Sequence, residues 1–296
     1  MKKKTLAIIV AILAVVLCFT LAACGDKTNV DDEVMDATND VVDATQGEEA
    51  TDATDEAAPA VVEDLARIKE AGKMIVGMTI YEPMNYWTDE TKTELTGFDT
   101  EFALAVGEKL GVEIEFVEIT WGRKFEELDA KTIDCVWNGM TITDEALANS
   151  SVSDAYIKNA QVLVMKDSVI ADYADITSIK DLTFAVESGS AGEVVLNNLC
   201  IENVTAVLDQ ANALLEVKSG IADACVIDIT MAKAMTGEGT SNANLTYGLE
   251  LSTEEYGIAC RENSDLTAEI NKIMAEMKAD GSLQAIADKY QLNLAA

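Results

Sequence analysis

Histidine is absent from the 296 residues of the chain, and that gap decides much of the chemistry open to it. Without an imidazole there is no Ser-His-Asp or Cys-His nucleophile, and the commonest protein ligand for a transition metal is missing. No Gly-rich phosphate loop and no Rossmann fingerprint occurs. Of the six cysteines, Cys18 and Cys24 fall near the N-terminus, while Cys135, Cys225 and Cys260 sit in apolar runs with the composition of buried strands. A free thiol in such a run behaves as a small hydrophobe. Cys200 completes a set of four that spacing alone cannot pair, and buried free thiols are the expectation. No pair of buried acid and base is evident either. The usual enzyme chemistries are mostly closed, and neither a cofactor nor a metal is expected.

Cys24 asks for a different explanation. Met1 to Lys4 carries three lysines and Thr5 to Ala23 is almost continuously apolar, the charged and hydrophobic regions of a secretory signal. A bilayer-spanning helix is the alternative for a run of this length. Ala22 and Ala23 stand directly before the cysteine, and "LAAC" resembles a bacterial lipobox, in which that cysteine becomes the lipid-bearing first residue of the mature protein, with palmitate among its acyl groups. Residues 1–23 are then a removed signal and Cys24 is an anchor. Residues 25–62 hold twelve acidic side chains against Lys27 alone. With so little apolar surface to bury, residues 24–62 read as a lipidated cysteine and a disordered acidic tether. Random-coil scaling gives such a tether a span of roughly 35 Å. The expected location is the cell membrane, lipid-anchored on the extracytoplasmic side.

The positions that remain, 63–296, carry 17 Lys and Arg against 41 Asp and Glu, within a chain of net charge −32. That excess argues against nucleic acid, whose affinity comes from cationic phosphate contacts. Strand and helix patterns alternate through this part. "KMIVGMTI", "VEIEFVEI", "IDCVWNGM", "AQVLVMK", "LTFAVE", "DACVIDI" and "YGIACRE" read as strands, with helical spacing in "GFDTEFALAVGEKLG", "KFEELDA", "AGEVVLNNL", "ALLEVKSG" and the C-terminal "LTAEINKIMAEMKADGSLQAIADKYQ". Two α/β units in series predict parallel-rich sheets covered by helices, and ligands of open α/β sheets bind at the carboxyl ends of the strands. A cleft between two lobes is the natural site.

From Met74 to Gln291 the chain resembles the extracellular solute-binding proteins of the polar amino-acid ABC transporter class. "IVGMTIYEPMNY", "LTGFDTEFALAVGEKLGVEIEF", "LDAKTIDCVWNGMTITDE", "DLTFAVESGSAGE", "VKSGIADACVIDITMA" and "EEYGIACRENSDL" occur in that family's order and spacing. The resemblance implies a two-lobed periplasmic-binding-protein-like fold of type II with two hinge strands. Residues 63–155 with 253–296 would form lobe 1, 162–248 lobe 2, and 156–161 with 249–252 the hinge. It implies a monomer that hands a small polar ligand, an amino acid or derivative, to a permease and its ATPase. It also implies roles: Asp228 as partner of the ligand ammonium, Tyr81 and Trp121 as aromatic walls, Asn138, Gly139 and Thr141 at a ligand-binding strand exit, and Ser190 and Ala191 at a helix start whose N–H groups hold a carboxylate. The residues themselves leave other roles open: a helix cap for Asp228 and Ser190, core packing for the rings. Trp137 is read as core.

One position departs from the family pattern. Relatives that bind amino acids carry an arginine after "TIT" that clamps the α-carboxylate, and this chain has Ala146 there. Only Arg67, Arg123 and Arg261 exist. Arg123, two residues after Trp121, is the expected substitute, ahead of Lys124 or Lys158. A ligand without a free α-carboxylate is the other way to account for Ala146. Asn159 near the hinge reads either as a donor to ligand oxygen or as a partner for backbone groups. A sensing or surface-interaction lipoprotein, or a lyase or dehydratase on the same scaffold, are the alternative functions.

Overall fold

Apolar runs too short for helices become strands here, and the amphipathic stretches between them become the covering helices. The computed structural model describes residues 60–296 apart from Glu90. The expected signal, Cys24 and nearly all of the acidic tether lie outside the described residues.

The first half runs α1 (Asp64–Ala71), β1 (Lys73–Met78), β2 (Tyr86–Trp87), β3 (Leu95–Thr96), α2 (Phe98–Leu110), β4 (Glu113–Glu118), a 3-10 turn at Trp121–Arg123, α3 (Lys124–Asp129), β5 (Cys135–Thr141), α4 (Asp144–Asn149) and β6 (Ser151–Val152). Then follow β7 (Ile157–Lys166), β8 (Phe184–Glu187), α5 (Ala191–Asn198), β9 (Val204–Val207), α6 (Gln210–Ser219), β10 (Ala224–Asp228) and α7 (Ile229–Met235). The long β11 (Leu245–Cys260) leads into α8 (Asp265–Asp280) and α9 (Ser282–Lys289).

Among the described residues one nine-stranded sheet has the order β4-β1-β5-β11-β7-β10-β8-β9, with β6 added beside β11. Two parallel triplets, β4-β1-β5 and β9-β8-β10, thus flank an antiparallel pair, β11 with β7. β1, β5, β8 and β10 are buried along nearly their whole length, which is why they read as continuous apolar runs. β11 is where the sequence misled. Only Leu245 and its last residues are buried; Thr246 to Glu255 is a mix of exposed and half-buried positions, and its acidic residues conceal a strand. Its register against β7 shifts between Tyr247 and Glu250 and again between Glu250 and Ser252. β9, α1, α4 and α7 also went unread, being short and weakly patterned.

Cys135, Cys225 and Cys260 are buried free thiols and Cys200 is an exposed one. Trp137 is fully buried, packed edge-on against Phe102 with ring centres 4.8 Å apart.

Just beyond β11 lies a buried ion cluster. Arg261 donates from Nε to Asp64 Oδ2 and from Nη2 to Asp64 Oδ1, each at 3.0 Å, and from Nη1 to the Ile133 carbonyl at 2.9 Å. Burial raises the Asp64 pKa, but hydrogen bonds from Arg261, Ser264 and Arg67 outweigh it and hold this carboxyl below its usual value. The cluster ties α1 to the end of β11 and to the loop before β5. Replacing Arg261 by Met leaves buried Asp64 without its bidentate partner, so chemical denaturation should show a loss of about 3–5 kcal/mol.

Candidate functional site

The parallel strands β1, β5, β8 and β10 all end at one cleft. Parallel strands leave free backbone groups and loop side chains at their carboxyl ends, and opposed ends from two triplets enclose a space without disturbing either core.

Asp228 closes β10 and is 4% exposed. Its Oδ1 accepts from Gln161 Nε2 and the Tyr256 hydroxyl, each at 2.8 Å, and from Asn159 Nδ2; its Oδ2 accepts from Gln210 Nε2. The same two amides reach Glu254 Oε1, Asn159 Nδ2 at 2.6 Å and Gln161 Nε2 at 2.9 Å, so β7 holds two carboxylates side by side. Every partner of Asp228 among these is neutral.

The exit of β5 is built around a backbone requirement. Gly139 has φ +56°, and a Cβ there would sit 2.7 Å from Tyr81 Cε1. Its N–H donates to buried Asp99 Oδ2 at 2.6 Å, and Tyr156 Oη donates to the same oxygen at 3.0 Å. Asn138 has no side-chain capacity left for a ligand. It accepts from the Thr79 N–H and hydroxyl at 2.9 and 2.8 Å and donates to the Thr79 carbonyl and Asn85 Oδ1 at 2.9 and 2.7 Å. The Thr141 hydroxyl donates to Glu254 Oε1 at 2.8 Å.

Tyr81 and Trp121 are buried and line the cleft, Tyr81 through a hydroxyl cluster with Thr230 and Tyr256. Ser190 caps α5 by accepting from the Glu193 N–H at 3.2 Å, and with Ala191 it forms the rim beside β8. Eight of the nine expected ligand-binding residues thus surround one cavity, and Arg123 is the exception. Its side chain is 64% exposed and pairs with Glu126 at 2.8 Å, one turn further along. The expectation that Arg123 supplies the cleft's cation is corrected to its neighbour: Lys124 is 6% exposed, lines the cleft, and donates to the Gly189 carbonyl at 3.1 Å and toward the Trp121 carbonyl at 3.5 Å. The turn at Trp121–Arg123 runs directly into α3, so consecutive residues point about 100° apart, enough to put Arg123 in solvent and Lys124 in the cleft. Ala146 is buried in the first turn of α4, its N–H accepted by Thr143 Oγ1 at 3.1 Å. Asn159 is a structural donor to Asp228 and Glu254 rather than part of the cleft lining.

Glu187 and Gln210 also line the cleft, and sequence reasoning missed both. "FAVESG" signals that Glu187 ends an apolar strand just before a turn, the position at which Asp228 was singled out; Gln210 carries no comparable signal.

Burial dominates the electrostatics. It pushes the Asp99 carboxyl up to about 7, and it raises Asp228 and Glu187 above the usual carboxylate range, helped by Glu254 on Asp228 and by Asp228 on Glu187. Lys124 is shifted down, again by burial. For an acid whose folded pKa exceeds its unfolded value, the folded state binds more protons between the two, so stability falls as pH rises through that window. For Asp99 the window runs from 3.8 to about 7. The ligand-free protein should therefore unfold more easily at pH 8 than at pH 5, by up to about 1.4 kcal/mol per pH unit for each such group. Denaturant titrations at the two pH values check this, and D99N should flatten the slope.

The profile described as bacterial extracellular solute-binding proteins, family 3, matches residues 74–293. The L-cystine-binding protein TcyJ of Escherichia coli (strain K12) is 32% identical over 76% of this chain and 85% of its own length. The arginine-binding extracellular protein ArtP of Bacillus subtilis (strain 168) is 31% identical over 74% of this chain and 86% of its own. A crystal structure of a mutant of ArgBP from T. maritima superposes with a TM-score of 0.70 at 31% identity, covering 76% of this chain and 98% of that one. The fold is thus the two-lobed α/β architecture of type II periplasmic binding proteins. These relatives are binding proteins rather than enzymes. With a family profile spanning most of its length and relatives of this similarity, the chain belongs to the bacterial extracellular solute-binding proteins, family 3.

Proposed function

We propose that this solute-binding protein captures a free amino acid in the cleft, closes on it, and delivers it to the permease and ATPase of an ABC importer. Asp228 carries this reading. It is a buried carboxylate at a strand end, held by neutral donors and facing a cleft walled by Tyr81 and Trp121, and an ammonium group is its natural complement. Relatives named for binding cystine and arginine support an amino-acid ligand.

The ligand carboxylate goes to Lys124 and the first N–H groups of α5. A lysine ammonium has three donors, and the carbonyls of Gly189 and Trp121 take two of them, which leaves one for the ligand. The N-terminus of α5 adds the favourable end of its dipole. Lys124 thereby does what an arginine at position 146 does in relatives.

Residues 63–155 with 253–296 form one lobe and 162–248 the other, and β7 and β11 cross between them. The register shifts in β11 at residues 247–252 support this as the place where the strand pair bends. A ligand that touches both lobes stabilises only the closed arrangement, so closure follows from differential affinity. Cys24 carries the lipid, and the monomer stays beside its permease on the extracytoplasmic face.

Thermal melting of the full chain against the free L-amino acids and their amides tests the reading. A true ligand at 100 times its Kd should add about 2.7 kcal/mol. D228N should abolish the response. K124M should weaken binding by about 1.5–3 kcal/mol when the ligand keeps its carboxylate and leave amide binding unchanged. If no amino acid raises the melting temperature, the proposal is wrong.

A further inference from the structure

Glu187 is the buried carboxyl group in the cleft that amino-acid capture leaves without a task. It ends β8, is 3% exposed, and its Oε1 has no hydrogen-bond partner among the described residues. A buried carboxylate oxygen without a donor costs free energy, so a partner is expected in the one place it faces, the cleft.

Its position narrows what that partner is. β8 and β10 are parallel neighbours in register at Phe184↔Ala224 and Ala185↔Cys225, which brings Glu187 and Asp228 to adjacent strand ends. The Asp228 charge raises the Glu187 pKa, and Gln210, which donates to Asp228, stands beside both. The charged groups lining the cleft are Lys124 against Glu145, Glu187 and Asp228. An amino acid with a neutral side chain brings one ammonium and one carboxylate. Asp228 takes the first and Lys124 the second, and the excess of acidic groups then stays as it was, with Glu187 Oε1 still without a donor. A second cation on the ligand removes both deficits, because a charged donor satisfies Oε1 and neutralises the carboxylate in a low-dielectric site.

We infer that the cleft selects an amino acid whose side chain ends in a cation, with Glu187 as the acceptor of that cation. The inference rests on the amino-acid reading above. Glu187 is then the specificity-determining residue: Asp228 and Lys124 recognise what all amino acids share, and Glu187 reads the side chain.

Calorimetric titration of the full chain with L-lysine, L-ornithine, L-arginine, L-glutamine and L-leucine tests this. At least one of the three basic amino acids should bind about 100-fold or more tightly than L-glutamine. E187Q, a neutral isostere, should cut that affinity about tenfold or more and leave L-glutamine binding unchanged or improved. Its melting temperature without ligand should match or exceed that of the unaltered chain. Should E187Q fail to fold, the selectivity of the unaltered chain still decides. Tightest binding of L-glutamine or L-leucine, or an E187Q chain that binds the basic amino acids as before, overturns the inference. If a neutral amino acid binds and D228N abolishes it, amino-acid capture stands while the role of Glu187 falls. If none of these five nor any other amino acid binds, both fall together.

Discussion

A carboxylate withdrawn from water is the constraint around which this molecule is arranged. Asp228 is expensive to bury, and the fold meets that cost with four donors drawn from three elements: Asn159 and Gln161 from β7, Gln210 from α6 and Tyr256 from β11. None of these is a cation. The carboxyl group is therefore positioned without a charge partner, and burial with the Glu254 charge raises its pKa to about 8, so the empty site favours the protonated acid. An arriving cation supplies the missing charge partner and favours the ionised form.

The same donors link the site to the antiparallel pair β7 and β11. Asn159 and Gln161 bridge Asp228 to Glu254, which sits on β11 opposite Asn159 and also accepts from Thr141 on β5. On the other side, Gly139 donates to Asp99, and Tyr156 closes that contact while its ring stacks on Phe98 with centres 6.0 Å apart. The floor of the cleft is thus continuous with the aromatic core of the first half. Polar networks of this kind are costly when partly satisfied, so they specify one arrangement of the strand ends.

Charge placement separates neighbours in sequence. Arg123 and Lys124 differ by one position, yet the first pairs with Glu126 in solvent and the second is buried beneath Trp121, its Nζ 4.8 Å from the ring centre. An exposed i,i+3 pair contributes little to stability, whereas a desolvated ammonium is held by carbonyls and by the ring face. Ala146 does not line the cleft, and the basic residue that does is Lys124.

The sequence by itself determined the strand set at the heart of each triplet, because β1, β5, β8 and β10 are buried on both faces and must be apolar throughout. It also determined the absence of histidine chemistry and the acidic excess, while the family resemblance rather than any local signal pointed to Asp228, Gly139, Ser190 and Trp121, which the structure brings to one cleft. Tertiary structure alone decided three things. β11 is a sixteen-residue crossing strand although half of it looks like polar linker, because pairing with β7 rather than burial holds it. Lys124 rather than Arg123 faces the cleft, because the direction of a side chain depends on how the 3-10 turn enters α3. Glu187 becomes a site residue only when β8 lies against β10, because strand neighbours are set by long-range pairing and no local pattern in "FAVESG" says which carboxylate will stand beside it.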